Sequence, residues 1–344
     1  MKILYLSKIG VPPVFPHEDY LCDMVFHGFR SLFGPDVVDV ARNDSMYSDN
    51  PPERRAKMYG KGFTIWNTLD PELKIDRTDI ESKIKNRYFD LVIYGQAARS
   101  LPFIKDVCRY YSKDRVLMLD GEDKPAINPL LLRLGSPILK RELRKPITGV
   151  FPISFCVPKE KTCQSFPKKE QHIARTPTQS HIFNTEREYY AEYQRSYFGL
   201  THKKAGWDCC RHYEIIMNRC VPYFKDIQDI PDLTMTHFPK TLVREAMALF
   251  EEKNLEQTNY RELEQKIFSH FEKHSTTEAM ATYVLNTIRQ QAISTCPPSF
   301  AGRADVAAAV SFYSFRRLAC SLLLVIRSGL RGVRKRLFEI TRRR

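Results

Sequence analysis

Six residues in one short stretch of the second half of the chain could together bind a diphosphate. They are Lys203, Lys204, Gly206, Asp208, Arg211 and Glu214. The first three form a basic loop with a glycine, and a helix is predicted to follow over residues 209–218. Free backbone N–H groups at a helix start and nearby cationic side chains favour an anion. A glutamate one turn into that helix can accept hydrogen bonds from a ribose diol.

The same residues also have a purely structural interpretation. Asp208 stands where its carboxylate would cap the helix, and Arg211 with Glu214 is spaced as an ordinary ion pair within it. The combination of the basic loop, this pair and the apolar strand at 220–224 favours the binding interpretation.

The segment W-D-C-C-R-H-Y-E-I-I at 207–216, followed by C-V-P-Y-F at 220–224, resembles a known family. It is similar to the nucleotide-sugar-binding half of glycosyltransferases with two Rossmann-like domains, the GT-B type, and especially to the exostosin-like pattern R-x-x-E … x-x-G-x-x-P-V. The resemblance implies that Glu214 binds the ribose of a nucleotide-sugar and that Arg211 lies beside its diphosphate. The nucleotide-sugar is then a donor substrate, and no separate cofactor is expected. Because Lys203, Lys204 and Arg211 would stabilise the leaving diphosphate, no metal ion is expected either.

Two departures from the family pattern lie in the same stretch. Asn218-Arg219-Cys220 replaces the small residues and glycine that usually precede the last strand, and Gly206 stands where many retaining members carry an acidic residue. These differences leave the stereochemistry open. They also support an alternative, a catalytically inactive module of the same fold that docks on a membrane or nucleic acid.

The rest of the chain predicts an α/β protein. Apolar runs at 2–6, 37–40, 89–95, 115–119 and 149–157 read as buried strands, and helices are predicted between them. This alternation is typical of a doubly wound, mostly parallel sheet that binds ligands beyond the carboxyl ends of its strands. The polar stretch 43–70 is interpreted as a long loop or insertion.

These elements give a prediction of four regions. An acceptor-side Rossmann-like domain is expected over 1–158, a linker over 159–178 and a nucleotide-sugar-binding domain over 179–295. A basic amphipathic tail is expected over 296–344. The fold class is therefore two Rossmann-like domains in a GT-B-like arrangement with a C-terminal basic helix.

Further polar residues follow the predicted strands of the first domain. His17 and Asp19 come just after the first strand, where either could be a general base, although an acidic residue opening a helix more often caps it. Asp120, Glu122 and Asp123 follow another strand and are predicted acceptor-side residues, with a strand-end turn as the alternative to a metal site. The run 140–145 is interpreted as solvated surface, with a phosphate-facing role as the alternative.

The chain carries a formal charge of +14, from 54 basic and 40 acidic residues, and most of it lies at one end. Residues 302–344 hold eleven basic and two acidic residues, so nine of the fourteen net charges belong to the tail. From residue 312 apolar side chains recur every three or four positions, which predicts a helix with one apolar face. A basic helix of this kind is typical of binding to an anionic membrane. The same apolar face could pack on the body of the protein, and it argues against a nucleic-acid partner.

Nine cysteines without C-x-x-C pairs or zinc-site spacings predict free thiols in a reducing cytosol. No apolar run approaches the roughly 18 residues that span a membrane. The sequence therefore predicts a cytoplasmic glycosyltransferase, peripheral at the membrane, that acts on a glycan or glycolipid acceptor.

Overall fold

Two parallel β-sheets form the framework of the chain in a computed structural model. The structure describes residues 1–9, 18–175, 182–252, 257–294, 304–316 and 318–320. One sheet has six strands and the other has three, and all the paired strands run parallel. The α/β class is confirmed, and the two sheets are compatible with two Rossmann-like domains.

The first sheet has the strand order β2-β1-β3-β4-β5-β6. Its strands are β1 (Ile3–Leu6), β2 (Val37–Val40), β3 (Leu91–Tyr94), β4 (Val116–Asp120), β5 (Ile138–Lys140) and β6 (Val150–Pro152). Because β2 and β3 pair on opposite sides of β1, the chain reverses direction across the sheet there, which is the arrangement that leaves a crevice at the carboxyl ends. The strands are almost wholly buried, as continuous apolar runs predict.

One strand of this sheet was absent from the sequence prediction. β5 has only three residues and ends in Lys140, so its pattern resembles a polar loop. Lys140 is nevertheless fully buried, because its Nζ pairs with the Asp120 carboxylate at the end of β4, 2.8 Å away. The interpretation of the run 140–145 as solvated surface is therefore wrong for its first four residues, which are all buried.

The helices of the first sheet domain are α1 (Tyr20–Phe33), α2 (Pro52–Lys57), α3 (Ile80–Lys85), α4 (Ile104–Tyr110) and α5 (Pro129–Leu134). The long helix α1 begins where Asp19 accepts a hydrogen bond from the backbone N–H of Cys22 over 3.1 Å. It ends at Phe33, directly before Gly34. The apolar face of α1 is buried against the sheet, as its spacing predicts.

The second sheet has the order β7-β8-β9, with strands β7 (Gln171–Ile173), β8 (Ser196–Thr201) and β9 (Val221–Phe224). The helices of this half of the chain lie between and after these strands. They are α6 (Glu186–Gln194), α7 (Cys210–Met217), α8 (Lys240–Glu251), α9 (Gln257–His274) and α10 (Thr277–Ser294). Strand β7 lies inside the segment predicted as a linker, so the second sheet begins earlier than expected. Its three residues are too few to show a strand pattern.

The last helix of this series, α10, returns to the first sheet domain and packs on α1. A Cβ on Gly28 of α1 would stand 1.9 Å from the backbone oxygen of Thr277, so a glycine is required at this crossing. The hydroxyl of Tyr283 on α10 donates to the carbonyl of Pro152 at the end of β6, 2.7 Å away. The two sheet domains are therefore joined by a helix as well as by the direct connection.

The beginning of the tail is helical over residues 304–316 and packs on the first sheet domain. The hydroxyl of Tyr313 donates to the carbonyl of Ala97, and the Arg316 guanidinium donates to that of Ala98, over 2.7 and 2.6 Å. The remaining predicted tail, 321–344, lies outside the described residues. In the part of the chain that is described, no helix is long and apolar enough to cross a membrane, and the eight described cysteines are free thiols.

Candidate functional site between the two sheets

A cleft of about 480 Å³ lies between the two sheet domains. The first domain contributes Tyr20, Tyr59, Gly60, Phe63, Asp123, Arg141 and Phe155 to its walls. The second contributes Phe183, Tyr189, Lys204, Ala205, Gly206, Asp208, Cys209, Cys210, Arg211 and Glu214. Five of the six residues predicted to bind a diphosphate donor thus line one cleft.

The sixth predicted residue, Lys203, points elsewhere. It is exposed, and its Nζ lies 4.7 Å from the centre of the Trp207 ring, as a cation–π contact requires. Lys203 and Lys204 are neighbours in sequence but only Lys204 contributes to the wall of the cleft.

Two cationic side chains in the cleft are uncommitted. Neither Lys204 nor Arg211 makes a side-chain hydrogen bond or an ion pair with any other residue that the structure describes. Burial lowers the pKa of Lys204, and the nearby charge of Arg211 lowers it further. Such a pair of close like charges is stabilised by an anion between or beside them. The pair lies at the start of α7, whose backbone N–H groups add to the same positive field.

The Glu214 carboxylate is held in place by two donors from opposite sides. The hydroxyl of Thr64 donates to Oε1 over 2.6 Å, and the hydroxyl of Tyr189 donates to Oε2 over 2.7 Å. The Cys210 thiol is a further, weak donor to Glu214. Because a carboxylate can accept about four hydrogen bonds, acceptor capacity remains for a ligand in the cleft. Glu214 does not pair with Arg211, so the ordinary ion pair considered from the sequence is absent among the described contacts.

Asp208 does not cap α7, contrary to the sequence prediction. The helix begins at Cys210, and Cys209 is its cap residue without a side-chain capping bond to any described residue. The Asp208 carboxylate instead accepts from the backbone N–H of Phe155 over 2.8 Å and from the hydroxyl of Tyr213 over 2.9 Å. Burial raises its pKa to about 7, although the nearby Arg141 charge opposes this shift. Asp208 therefore links the second domain to the first at the edge of the cleft.

Two residues that directly follow β5 also contact Asp208 and so join the first domain to the second. The Glu142 carboxylate accepts from the backbone N–H of Asp208 over 3.0 Å, and the buried Arg141 guanidinium donates to the Asp208 carbonyl. Arg141 also pairs with Asp123 and donates to the carbonyl of Gly121, so it is fully engaged within the protein. The loop that carries Lys204 is thus fixed from the first domain.

The acidic cluster after β4 is neutralised by basic partners. Asp120 pairs with Lys140, and Glu122 pairs with Arg99 over 2.8 Å. Burial raises the pKa of Asp120, while Lys140 opposes the shift. Of the predicted acceptor-side residues only Asp123 contributes to the wall of the cleft. Among the residues that the structure describes, no three His, Cys, Asp or Glu side chains form a group that could hold a metal ion.

Of the two predicted general bases, His17 and Asp19, the structure describes only Asp19. His17 lies outside the described residues. Asp19 caps α1 and pairs with Arg99 over 3.1 Å, which corresponds to the structural alternative considered from the sequence.

The segment 43–70, interpreted from the sequence as a long loop, supplies residues that the prediction missed. Tyr59, Gly60 and Phe63 line the cleft, and Thr64 contacts Glu214. The signal for this role is compositional, because the polar segment contains several aromatic residues, of which Trp66 is buried. A polar loop exposed to solvent rarely needs such side chains.

Of the two departures from the family pattern, Gly206 lines the cleft and Asn218-Arg219 does not. Arg219 is buried and pairs with Glu264 over 3.1 Å, and the Asn218 amide donates to the carbonyl of Glu214 over 2.9 Å. Gly206 lies in the wall of the cleft.

The sequence was also compared with known proteins. Neither the protein-family models nor the curated proteins searched gave a match to this chain.

Proposed function

We propose that the chain is a glycosyltransferase that moves a sugar from a nucleotide-sugar donor to a hydroxyl of a glycan or glycolipid acceptor. The observation that carries this proposal is the arrangement of Glu214, Arg211 and Lys204 along one cleft between two parallel-sheet domains. Two cations that make no side-chain hydrogen bond or ion pair to a described residue, beside a carboxylate with remaining acceptor capacity, match the charge pattern of a nucleoside diphosphate.

Each part of the donor has a proposed partner. The ribose hydroxyls donate to the open positions of Glu214, and the diphosphate lies against Lys204, Arg211 and the start of α7. The aromatic residues of the cleft, among them Phe63 and Tyr189, provide flat apolar surface for the remainder of the ligand. The donor site thus draws on both domains, as in a GT-B-like arrangement.

The proposed reaction is a displacement at the anomeric carbon of the donor sugar. The acceptor oxygen forms a bond to this carbon, the bond to the diphosphate oxygen breaks, and its electron pair leaves with the diphosphate. The two cations stabilise the charge that develops there, which is the role a metal ion has in other transferases. The Asp19 carboxylate caps α1 and pairs with Arg99. His17 is therefore the proposed group that accepts the proton of the acceptor hydroxyl.

The turn before β9 supports the family resemblance in an indirect way. Arg219 has a φ of 59°, in the left-handed region that favours glycine. The family pattern carries glycine close to this strand. A glycine at this turn would adopt the same backbone conformation without strain, so the turn is compatible with the family pattern although the residue differs.

The tail is the proposed membrane-binding element. The helix at 304–316 is anchored on the first domain, and beyond its anchored face Phe315 and Leu318 are each more than 70% exposed. Eight further basic residues follow in 321–344. We propose that this region binds the anionic cytosolic face of a membrane, where a glycolipid acceptor would be found.

Calorimetric titration with UDP, GDP, ADP and CDP tests the donor site. At least one of these should bind the wild-type chain, and Glu214→Ala should weaken that binding by tenfold or more, as expected for the loss of hydrogen bonds to a charged group. Glu262→Ala is the matched control, since this glutamate is exposed on α9 far along the chain from the cleft residues. Equal affinity of wild type and Glu214→Ala would contradict the site assignment.

The alternative function, an inactive module of the same fold, is favoured by one observation. Both Asp123 and Asp208 in the cleft are engaged by protein donors, and Gly206 stands where many retaining enzymes carry an acidic residue. Such a module would bind nucleotide without turning over a nucleotide-sugar, or would bind neither. Donor turnover separates the two candidates.

A further inference from the structure

One hydrogen bond at the cleft joins the two domains at the residue proposed to bind ribose. Thr64 belongs to the insertion between β2 and β3 of the first domain, and Glu214 belongs to α7 of the second. Their contact, 2.6 Å from Oγ1 to Oε1, is buried. We propose that residues 58–66, here called the strap, hold the Glu214 carboxylate in its ribose-binding orientation, with Thr64 as the positioning residue. This inference rests on the proposed function.

The backbone of the strap is held in an unfavourable conformation. Thr64 has a φ of 68° and is β-branched, a combination that is a genuine outlier. A non-glycine residue in this region is strained and persists only where its surroundings fix it. Lys61, at a φ of 55°, lies in the same region three residues earlier. The strap therefore depends on contacts made elsewhere.

The contacts of Thr64 and Lys61 are with the second domain, whereas Trp66 donates to Asp23 of α1 in the first domain over 2.6 Å. The backbone N–H of Thr64 donates to Glu186 over 2.6 Å, and the Tyr190 hydroxyl lies 2.9 Å from Thr64 Oγ1. Lys61 Nζ donates to the carbonyl of Phe183 over 2.6 Å. Because these partners surround the start of α6, the strap binds the second domain at several points, and the Thr64 hydroxyl is aimed at Glu214.

The consequence for ligand recognition follows from the geometry of the carboxylate. Thr64 and Tyr189 each occupy one oxygen, which fixes the plane of the group before any ligand arrives. A diol that donates two hydrogen bonds needs both oxygens presented together, so this orientation favours a nucleotide with free 2′ and 3′ hydroxyls. Preference for a ribonucleotide over a nucleotide without these hydroxyls therefore depends on the strap, which belongs to the first domain.

The test compares ribonucleotides with dideoxynucleotides on the full chain. For whichever of UDP, GDP, ADP or CDP binds best, affinity is measured by calorimetry beside that of its 2′,3′-dideoxy form. Wild type should prefer the ribonucleotide. Thr64→Val keeps the side-chain shape but removes the donor, and should weaken ribonucleotide binding by about tenfold while dideoxynucleotide binding changes less than twofold. A merely structural role would weaken both ligands alike.

Three further variants complete the design. Thr64→Ser retains the hydroxyl and should behave as wild type, and Thr68→Val is a matched control because its hydroxyl donates only to the carbonyl of Ile65 among the described contacts. In Glu214→Gln, adding Thr64→Val should cause no further loss, since the two act through one contact. If Thr64→Val folds poorly, Thr64→Ala removes the same donor and serves in the same comparison.

The outcomes are distinguishable. If wild type prefers the ribonucleotide and loses this preference in Glu214→Gln but keeps it in Thr64→Val, the role of the strap is overturned and the donor site stands. Parallel loss of both ligands in Thr64→Val likewise overturns the positioning role. If wild type binds no nucleoside diphosphate, the proposed function and this inference fall together.

Discussion

Gly206 of the second domain lies directly against the carboxylate of Glu142 in the first. A Cβ on Gly206 would stand 2.4 Å from Glu142 Oε1 and 3.1 Å from Arg141 Nη1. From the sequence, this glycine is predicted to belong to a loop that binds a diphosphate. The structure gives it a second role, because a side chain at residue 206 would displace the Glu142 carboxylate, which accepts from the backbone N–H of Asp208.

Gly206→Ala should therefore disturb the contact between the domains. Overpacking of a tight contact costs about 1–3 kcal/mol, and the loop has no room to move without breaking the bonds of Asp208 to Glu142 and Phe155. We expect a lower free energy of unfolding in urea and weaker nucleoside diphosphate binding. In Glu142→Ala the obstructing carboxylate is gone, so adding Gly206→Ala should cost less there than in wild type. Additive losses would contradict this account.

The two neighbouring lysines provide a matched pair of variants. Lys204 lines the cleft without a described partner, whereas Lys203 contacts the Trp207 ring. Lys204→Ala should weaken nucleoside diphosphate binding by about tenfold or more, as expected for a charge-assisted hydrogen bond, and Lys203→Ala by less than twofold. The difference should shrink as salt is raised. Equal effects of the two variants in calorimetry would place the diphosphate elsewhere.

Arg211→Ala should act in the same direction as Lys204→Ala. Because both cations face one anion, their losses should not add, and the double variant should bind little more weakly than the worse single one. Independent, additive losses would show that the two side chains contact separate ligands.

The buried carboxyl of Asp208 makes stability depend on pH. Burial raises its pKa to about 7 from an ordinary 3.8, so the folded chain retains the proton over a range where the unfolded chain releases it. This contribution is complete below about pH 4 and is lost as pH rises through 7, at up to about 1.4 kcal/mol per pH unit for one proton. The free energy of unfolding should fall with pH over this window more steeply in wild type than in Asp208→Asn.

Urea titrations of both chains from pH 4 to 9 measure this difference directly. Above pH 8 the two curves should run parallel, because both the folded and unfolded wild-type carboxyl are then ionised. A constant difference between the curves over the whole range would show that Asp208 does not titrate in this window. His212 and His237, whose pKa values burial lowers to about 3 and 4, contribute equally to both chains and cancel.

Membrane binding is tested by shortening the tail at the right place. A cut before residue 312 would remove the contacts of Tyr313 and Arg316 with the first domain, so the matched variant should end at residue 320. Vesicles containing phosphatidylserine should sediment the full chain but not this variant, because 321–344 holds eight basic residues worth about 1 kcal/mol each near such a surface. Equal sedimentation of the two chains would contradict a membrane role for 321–344.

The elements that could be predicted from the sequence are those whose signal is local. Strand β1 and helix α1 have continuous or periodic apolar patterns, and the bounds of β1 agree closely with the predicted run 2–6. The residues from Lys204 to Glu214 are close together in the sequence, so they necessarily lie near one another in the fold. β5 and β7, with three residues each, are too short to show a pattern.

The parts of the site that were not predicted depend on long-range contacts. Thr64 reaches Glu214 across 150 residues of chain, and Glu142 meets Asp208 across 66. Asp208 is a favourable cap residue by type, but its carboxylate instead accepts from the half-buried backbone N–H of Phe155 in the first domain. No pattern of neighbouring residues in the sequence predicts these pairs.

Turnover of a nucleotide-sugar tests the central claim most directly. The measurement is release of nucleoside diphosphate from a panel of UDP-, GDP-, ADP- and CDP-sugars, with phosphatidylserine vesicles and a lipid extract as the source of acceptor, by wild type and by Glu214→Ala. We expect wild type to release the diphosphate from at least one donor, and Glu214→Ala to do so at least tenfold more slowly at limiting donor. If wild type releases none while still binding the nucleotide, the chain is a binding module and the assignment as a transferase is wrong.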